Sequence, residues 1–273
     1  MCRLLGIFSN EAVEYRMILR EAPKSLCALS REHPHGWGLA VFAHSVGWHV
    51  EKAAECADTD SRFHEVALGS RGVSMVAHVR KRTIGELSHR NTHPFVRGSW
   101  VFCHNGTIVD VDWLARQCSP ARLAERQGET DSEILLAFLL SRLDAAACEL
   151  NVPDARFDDV LRKACDEMTA RGEAFGSVNF LMSNGETCYA HRFGRSLYLL
   201  ERSAGDPLVS RRVSEETGAV VETPWSSGRR AILIASEVMT DEPWQLIEER
   251  SLVRIDRSPV PGFKMIGPRA GIA

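Results

Sequence analysis

The order of elements along this chain predicts an α+β fold of antiparallel sheets with segregated helices. Three observations carry that prediction. Strand-like segments come first, helical segments follow, and strands return in the last third. Hairpin signals are frequent, with Asn184-Gly185 between two apolar runs as the strongest. Strand–helix–strand alternation, the mark of a parallel sheet, is scarce. Two sheets packed together with helices outside fit this order, although pattern alone does not establish it.

Residues 3–8 read as a strand that leads away from Cys2. Residues 11–31 are helical in pattern, with Tyr15, Ile18, Leu19, Leu26 and Leu29 near one face and Pro23 as a break. Residues 35–42 turn into a strand with residues 48–53 as its hairpin partner, and residues 58–68 form a short helix. The β-branched run 73–79 is a buried strand. Residues 100–104 form another strand, closed by Asn105-Gly106. Helices are expected at 111–116, 131–143 and 155–169. Strands then follow at 177–183, 187–191, 197–201, 231–235 and 252–255. Residues 203–228 read as a polar insertion or long hairpin loop, and the tail from Pro259 as loosely ordered. Residues 1–273 are expected to form a single domain.

Composition narrows the function. Of 273 residues, 44% are hydrophobic and 25% charged, as in ordinary globular proteins. The 33 basic and 36 acidic residues leave a net charge of -3, which gives no support to a nucleic-acid or acidic-membrane partner. No apolar run reaches membrane-spanning length, and the N-terminus lacks the features of a signal peptide. No pair of the eight cysteines is spaced C-x-x-C, so most read as buried, reduced thiols of a cytoplasmic protein. His78, His89, His93 and His104 invite a metal hypothesis, but no H-E-x-x-H-like spacing supports one. His93 and His104 read better as groups making structural hydrogen bonds.

Cys2 stands directly after the initiator Met1. Its small side chain permits removal of Met1, which leaves a thiol and a free α-amine on one residue. An α-amine titrates near ~8 and a thiol near ~8.5, so the amine can take the thiol proton. Alone, a second-position cysteine is more often incidental.

Three polar clusters stand beside predicted strand ends. In the first, Arg80 emerges where the strand 73–79 stops and can grip a carboxylate bidentately. The plainer reading of Arg80-Lys81-Arg82 is a solvated basic turn. In the second, the Asn105 amide and the Gly106 backbone N–H can form an oxyanion hole, although Asn-Gly is usually just a turn. In the third, Thr130-x-x-Glu133 fits a capping box, and Asp131 remains able to bind an ammonium group.

Each cluster is ambiguous, but their sequence order is not. Cys2, then A-H-V-R-x-x-T-x-G around Arg80, then N-x-H-P-F, H-N-G and G-E-T-D-S-E resembles the class II glutamine amidotransferases, a group of N-terminal-nucleophile (Ntn) hydrolases. The resemblance is closest to short stand-alone bacterial members. Asn179–Gly185, Ala235-Ser236-Glu237 and Trp244-Gln245 extend it. It implies a four-layer αββα sandwich of two antiparallel sheets, the Ntn-hydrolase fold. It implies that Cys2 attacks a γ-carboxamide with its own α-amine as base, and that Asn105 and Gly106 hold the oxyanion. It further implies that Arg80 binds the glutamyl α-carboxylate, Asp131 its α-ammonium, and Thr83 and His93 shape the pocket. No metal or cofactor is implied. The substrate it implies is a small molecule, either glutamine or a γ-glutamyl amide such as a peptide or thiol metabolite. Residues 34–38 lack the acid that often precedes G-W-G in this subgroup, and no synthase domain follows. A separate synthase or a homo-oligomer is therefore a possible partner, with the chain as an ammonia-supplying subunit or a plain hydrolase.

Overall fold

A computed structural model of the chain describes residues 2–203, 211–213, 220–222 and 228–267. Its strands run in chain order as β1 (Arg3–Glu14), β2 (Trp37–Ala43), β3 (Gly47–Ala53), β4 (Arg71–Val79), β5 (Phe95–Arg97), β6 (Trp100–Ile108), β7 (Gly176–Ser183), β8 (Thr187–His191), β9 (Tyr198–Arg202), β10 (Arg211–Val213), β11 (Val220–Glu222), β12 (Ala231–Ala235), β13 (Gln245–Leu246), β14 (Leu252–Asp256) and β15 (Gly262–Ile266). The α-helices are α1 (Leu26–Ser30), α2 (Ser61–Gly69), α3 (Val111–Arg116), α4 (Pro120–Ala124), α5 (Asp131–Ala145) and α6 (Ala155–Thr169).

The larger sheet has the order β13-β9-β12-β1-β4-β2-β3, and the second β15-β14-β8-β7-β6-β5. Neighbouring strands pair antiparallel in both. β10 and β11 pair separately.

Alternation of side chains builds the layers. In β1, Leu5 and Ile7 face an outer core with Leu19, Leu26 and Phe63 from the short helices. Leu4 and Phe8 face inward and meet Val101, Leu181 and Val253 of the second sheet. Beyond that sheet, Phe102, Phe180 and Tyr189 pack on α5 and α6. Helix, sheet, sheet, helix is the αββα order. α5 sits mid-layer among α3, α4 and α6 and is buried along most of its length, so it has no polar face.

Four expectations need correction. Residues 11–14 extend β1 instead of starting a helix, because after an irregularity the strand resumes pairing at Val13↔Gly72 and Glu14↔Arg71. Beyond them lie a π-helical turn at Met17–Glu21 and the five-residue α1, with Pro23 between the two. Asn105-Gly106 is not a turn, since β6 runs on to Ile108 with Asn105↔Asn179 and Gly106↔Val178 as partners. The tail is ordered through β15, which completes the edge beside β14. Thr130 and Glu133 form no capping box. Thr130 makes no side-chain cap, and Glu133 reaches back to accept from the backbone N–H groups of Gln127 and Gly128 and from Arg97. Much of the polar loop expected at 203–228 lies outside the described residues.

Candidate active site

Alternation and register decide what meets between the sheets. The inward residues of β1, β4 and β12 are even-numbered, as Leu4, Val76 and Ile234 show. One further step along β1 and β12, and two along β4, bring Cys2, Ser236 and Arg80 to the same end. Register supports this, with Arg3↔Val79 on one side of β1 and Leu5↔Ala235 on the other. In β6 the inward residues are odd-numbered, Val101 and Cys103, and the next is Asn105. Asp131 arrives from the outer layer as the first residue of α5, and its Oδ2 accepts the Ile108 N–H at 2.8 Å.

The Cys2 thiol is held by the backbone of Lys81. Lys81 N–H donates to Sγ at 3.3 Å, and Lys81 O lies 3.5 Å from Sγ. Burial pushes the thiol above its ordinary value, while the Lys81 amide and the Arg80 guanidinium oppose that push and Asp131 adds to it. The sulfur therefore rests as a thiol and would need a base to act as a nucleophile.

Arg80 is buried and locked at both ends. Its N–H donates to Gly36 O at 2.7 Å, and its carbonyl accepts from His35 N at 3.0 Å. The guanidinium donates to Glu86 O at 3.0 Å and Ile84 O at 2.8 Å. Gly36 has φ 143°, a conformation that favours glycine. The segment before Trp37 thus brackets Arg80, and where the related subgroup often has an acid, His35 Nδ1 accepts the Arg82 N–H at 3.0 Å.

Asn105 and Ser236 are both buried. Asn105 Nδ2 lies 3.3 Å from Ser236 Oγ, which also accepts Leu4 N–H at 2.8 Å. Asn105 Oδ1 is buried without a partner. Gly106 answers to its neighbours, because a Cβ there would lie 1.9 Å from Ser177 O. Thr107 Oγ1 lies 3.4 Å from Thr83 Oγ1, which puts Thr83 beside this end of β6. His93 is an interior wall, packed at a tilt against His78 at 4.2 Å and Phe95 at 4.5 Å between ring centroids. Burial holds it neutral.

A relay fixes Asp131. His104 Nε2 faces Ser177 O at 3.2 Å and Nδ1 faces Ser132 Oγ at 2.9 Å. A carbonyl only accepts, so hydrogen-bond pairing assigns the proton to Nε2 and makes Nδ1 an acceptor. Burial lowers the His104 pKa and keeps the ring neutral. Ser132 then spends its proton on His104, not on Asp131 Oδ1 3.4 Å away. That oxygen keeps its capacity for a cation.

The structure thus gathers Cys2, Arg80, Asn105, Gly106 and Asp131 at one end of the inter-sheet space, with Thr83 beside them and His93 behind. Sequence reasoning did not find the parts of Ser236, Ser132 and the Lys81 amide. Ser236 lies in a segment that carried the resemblance, but its contact depends on strand register. Asn179, from another such segment, is structural and ties Ser196 O to Phe193 N–H. Among the described residues no three metal-ligating side chains converge.

A family model described as class-II glutamine amidotransferases matches residues 1–261. An uncharacterized protein of Methanocaldococcus jannaschii is 30% identical over 93% of this chain and 68% of its own. A gamma-glutamyl-hercynylcysteine sulfoxide hydrolase of Mycobacterium tuberculosis is 28% identical over 80% of this chain and 88% of its own. The crystal structure of a predicted glutamine amidotransferase from Pseudomonas aeruginosa superposes with a TM-score of 0.65 at 22% identity, covering 97% of this chain and 99% of that one.

Proposed function

The chain belongs to the class II glutamine amidotransferases, and from that premise we propose that it is an Ntn amidohydrolase that cleaves the γ-amide of glutamine or a γ-glutamyl compound through a Cys2 thioester. The observation that carries the reading is the meeting of a thiol, a guanidinium, a side-chain amide and a carboxylate at one sheet end. A γ-glutamyl head presents one electrophilic carbonyl, one carboxylate and one ammonium, which these groups complement. Arg80 takes the carboxylate, Asp131 Oδ1 the ammonium, and Asn105 with the Gly106 N–H the oxyanion.

Once Met1 is removed, the Cys2 α-amine accepts the thiol proton as Sγ bonds to the γ-carbon. The tetrahedral intermediate collapses, the C–N bond breaks, and the leaving amine takes that proton. Water, deprotonated by the same α-amine, then cleaves the thioester and releases glutamate.

The sulfoxide hydrolase relative supports keeping a γ-glutamyl thiol metabolite beside free glutamine as a substrate. Comparing kcat/KM for glutamine and γ-glutamyl-cysteine compounds separates the two. All eight cysteines are free, which supports assignment to the reducing cytoplasm. The test is Cys2→Ala, expected to lower glutamate release by more than about a thousandfold, as loss of a catalytic nucleophile does. Unchanged release would remove the mechanism.

A further inference from the structure

Ser236 follows β12 and sits between the strand that carries the nucleophile and the strand that carries the oxyanion amide. Its Oγ accepts the Leu4 N–H at 2.8 Å, and its own N–H donates to Leu4 O at 3.0 Å. Across the inter-sheet gap, the same Oγ lies 3.3 Å from the Asn105 amide. One hydroxyl therefore ties a residue two positions from Cys2 to Asn105.

Hydrogen counting decides which way that amide points. A serine hydroxyl has one proton and two lone pairs. With Nδ2 turned toward Ser236, the hydroxyl accepts from both Leu4 and Asn105, and Asn105 Oδ1 is left buried without a partner. A half-turn of the amide plane keeps the heavy atoms in place. It pairs Oδ1 with the Ser236 proton, retains the Leu4 bond and releases both Nδ2 hydrogens from Ser236. The turn exchanges a buried, unpartnered carbonyl for a buried, unpartnered NH2, and an oxyanion formed at that position satisfies those donors where it would repel the carbonyl.

We propose that Ser236 is a positioning residue whose hydroxyl donates to Asn105 Oδ1 and so aims Nδ2 at the oxyanion formed when Cys2 attacks. This rests on the amidohydrolase reading above. Because Ser236 also grips Leu4, it sets the spacing between the nucleophile's strand and the oxyanion donor. The arrangement acts on the tetrahedral intermediate, where the carbonyl oxygen carries charge, more than on the bound ground state.

The test pairs steady-state hydrolysis of a γ-glutamyl anilide with the rate of Cys2 alkylation by iodoacetamide, a displacement that builds no oxyanion. Ser236→Ala is expected to lower kcat roughly ten- to hundredfold, less than loss of a direct oxyanion donor. KM and the alkylation rate should stay close to wild type. Ser236→Thr, which keeps the hydroxyl, should recover most of the loss. Adding Ser236→Ala to Asn105→Ala should cost little more, since both act through one amide. A wild-type kcat in Ser236→Ala overturns the assignment. So does an equal fall in alkylation, which would mean that Ser236 only holds Cys2 in place. If the alanine variant does not fold, a fully active Ser236→Cys, with its weaker donor, overturns it as well. Absence of hydrolysis by the wild-type enzyme would instead remove the functional reading itself.

Discussion

In the proposed function Asp131 has two tasks for one carboxylate, and they can be separated. Its Oδ2 accepts the Ile108 amide, a bond an asparagine oxygen can keep. The negative charge facing a substrate ammonium cannot be kept. Asp131→Asn is therefore expected to fold normally, with a similar melting temperature, and to raise KM about ten- to hundredfold, the scale of one charge-assisted hydrogen bond (~1.5–3 kcal/mol). A large fall in stability with unchanged KM would contradict the division. A second expectation concerns the proton. Burial pushes the Cys2 thiol up, so its attack needs a base, which the proposed mechanism takes to be the neutral α-amine. Activity should rise with pH through roughly 8 and fall about tenfold per unit well below it. A profile flat from pH 6 to 9 would exclude the terminal amine as base. At this scale Cys2, Arg80, Asn105 and Asp131 are singled out by the order of their motifs along the chain, since each motif alone is ambiguous. Ser236 and Ser132 are not, because their contacts depend on register and on His104 burial.

β6 and the start of α5 show how elements set the site. Asn-Gly ordinarily signals a turn, yet here it continues a strand because β7 pairs with it to the end. The glycine is required by proximity: a Cβ at Gly106 would lie 1.9 Å from Ser177 O and 2.6 Å from His104 Nε2. Gly106→Ala should force β6 and β7 apart, visible as a sharply lowered melting temperature and loss of activity. Glu133 replaces the expected capping box by clamping the loop before Asp131. Its fully buried carboxylate pairs with Arg97 at 2.7 Å and accepts from the Gln127 and Gly128 amides. Glu133→Gln should cost about 3 kcal/mol in denaturant unfolding, as removing one partner of a buried pair does. KM should rise as well, because Asp131 follows the clamp. The sequence pattern locates α3, α5 and α6 closely, since their apolar spacing is local. It misreads residues 11–14, whose strand pairing is decided by β4.

The four-layer arrangement buries histidines as well as apolar side chains, and this carries a cost in acid. His33 and His191 are held near about 4 by burial, with the Arg3 charge adding to the effect at His33, and His78 near about 3 by burial. Each is lowered from 6.5, so between those values the unfolded chain binds more protons than the folded one. They cost nothing above pH 6.5, and the cost grows as pH falls toward 4, and for His78 toward 3. Each group contributes a slope of up to about 1.4 kcal/mol per pH unit. The melting temperature should therefore drop steeply over that window, and His191→Asn, if folded, should flatten the drop. The layers are foreshadowed by alternation within single strands, but which sheet each strand joins depends on long-range pairing such as β1 with β12.

The central claim is that the working chain begins at Cys2 and that its sulfur carries the glutamyl group. Intact-mass spectrometry with peptide mapping, on enzyme quenched during turnover of a γ-glutamyl amide, tests it most directly. The expected species lacks Met1 and bears one γ-glutamyl group on Cys2. Turnover by a chain that keeps Met1, or an adduct on any other residue, would contradict it.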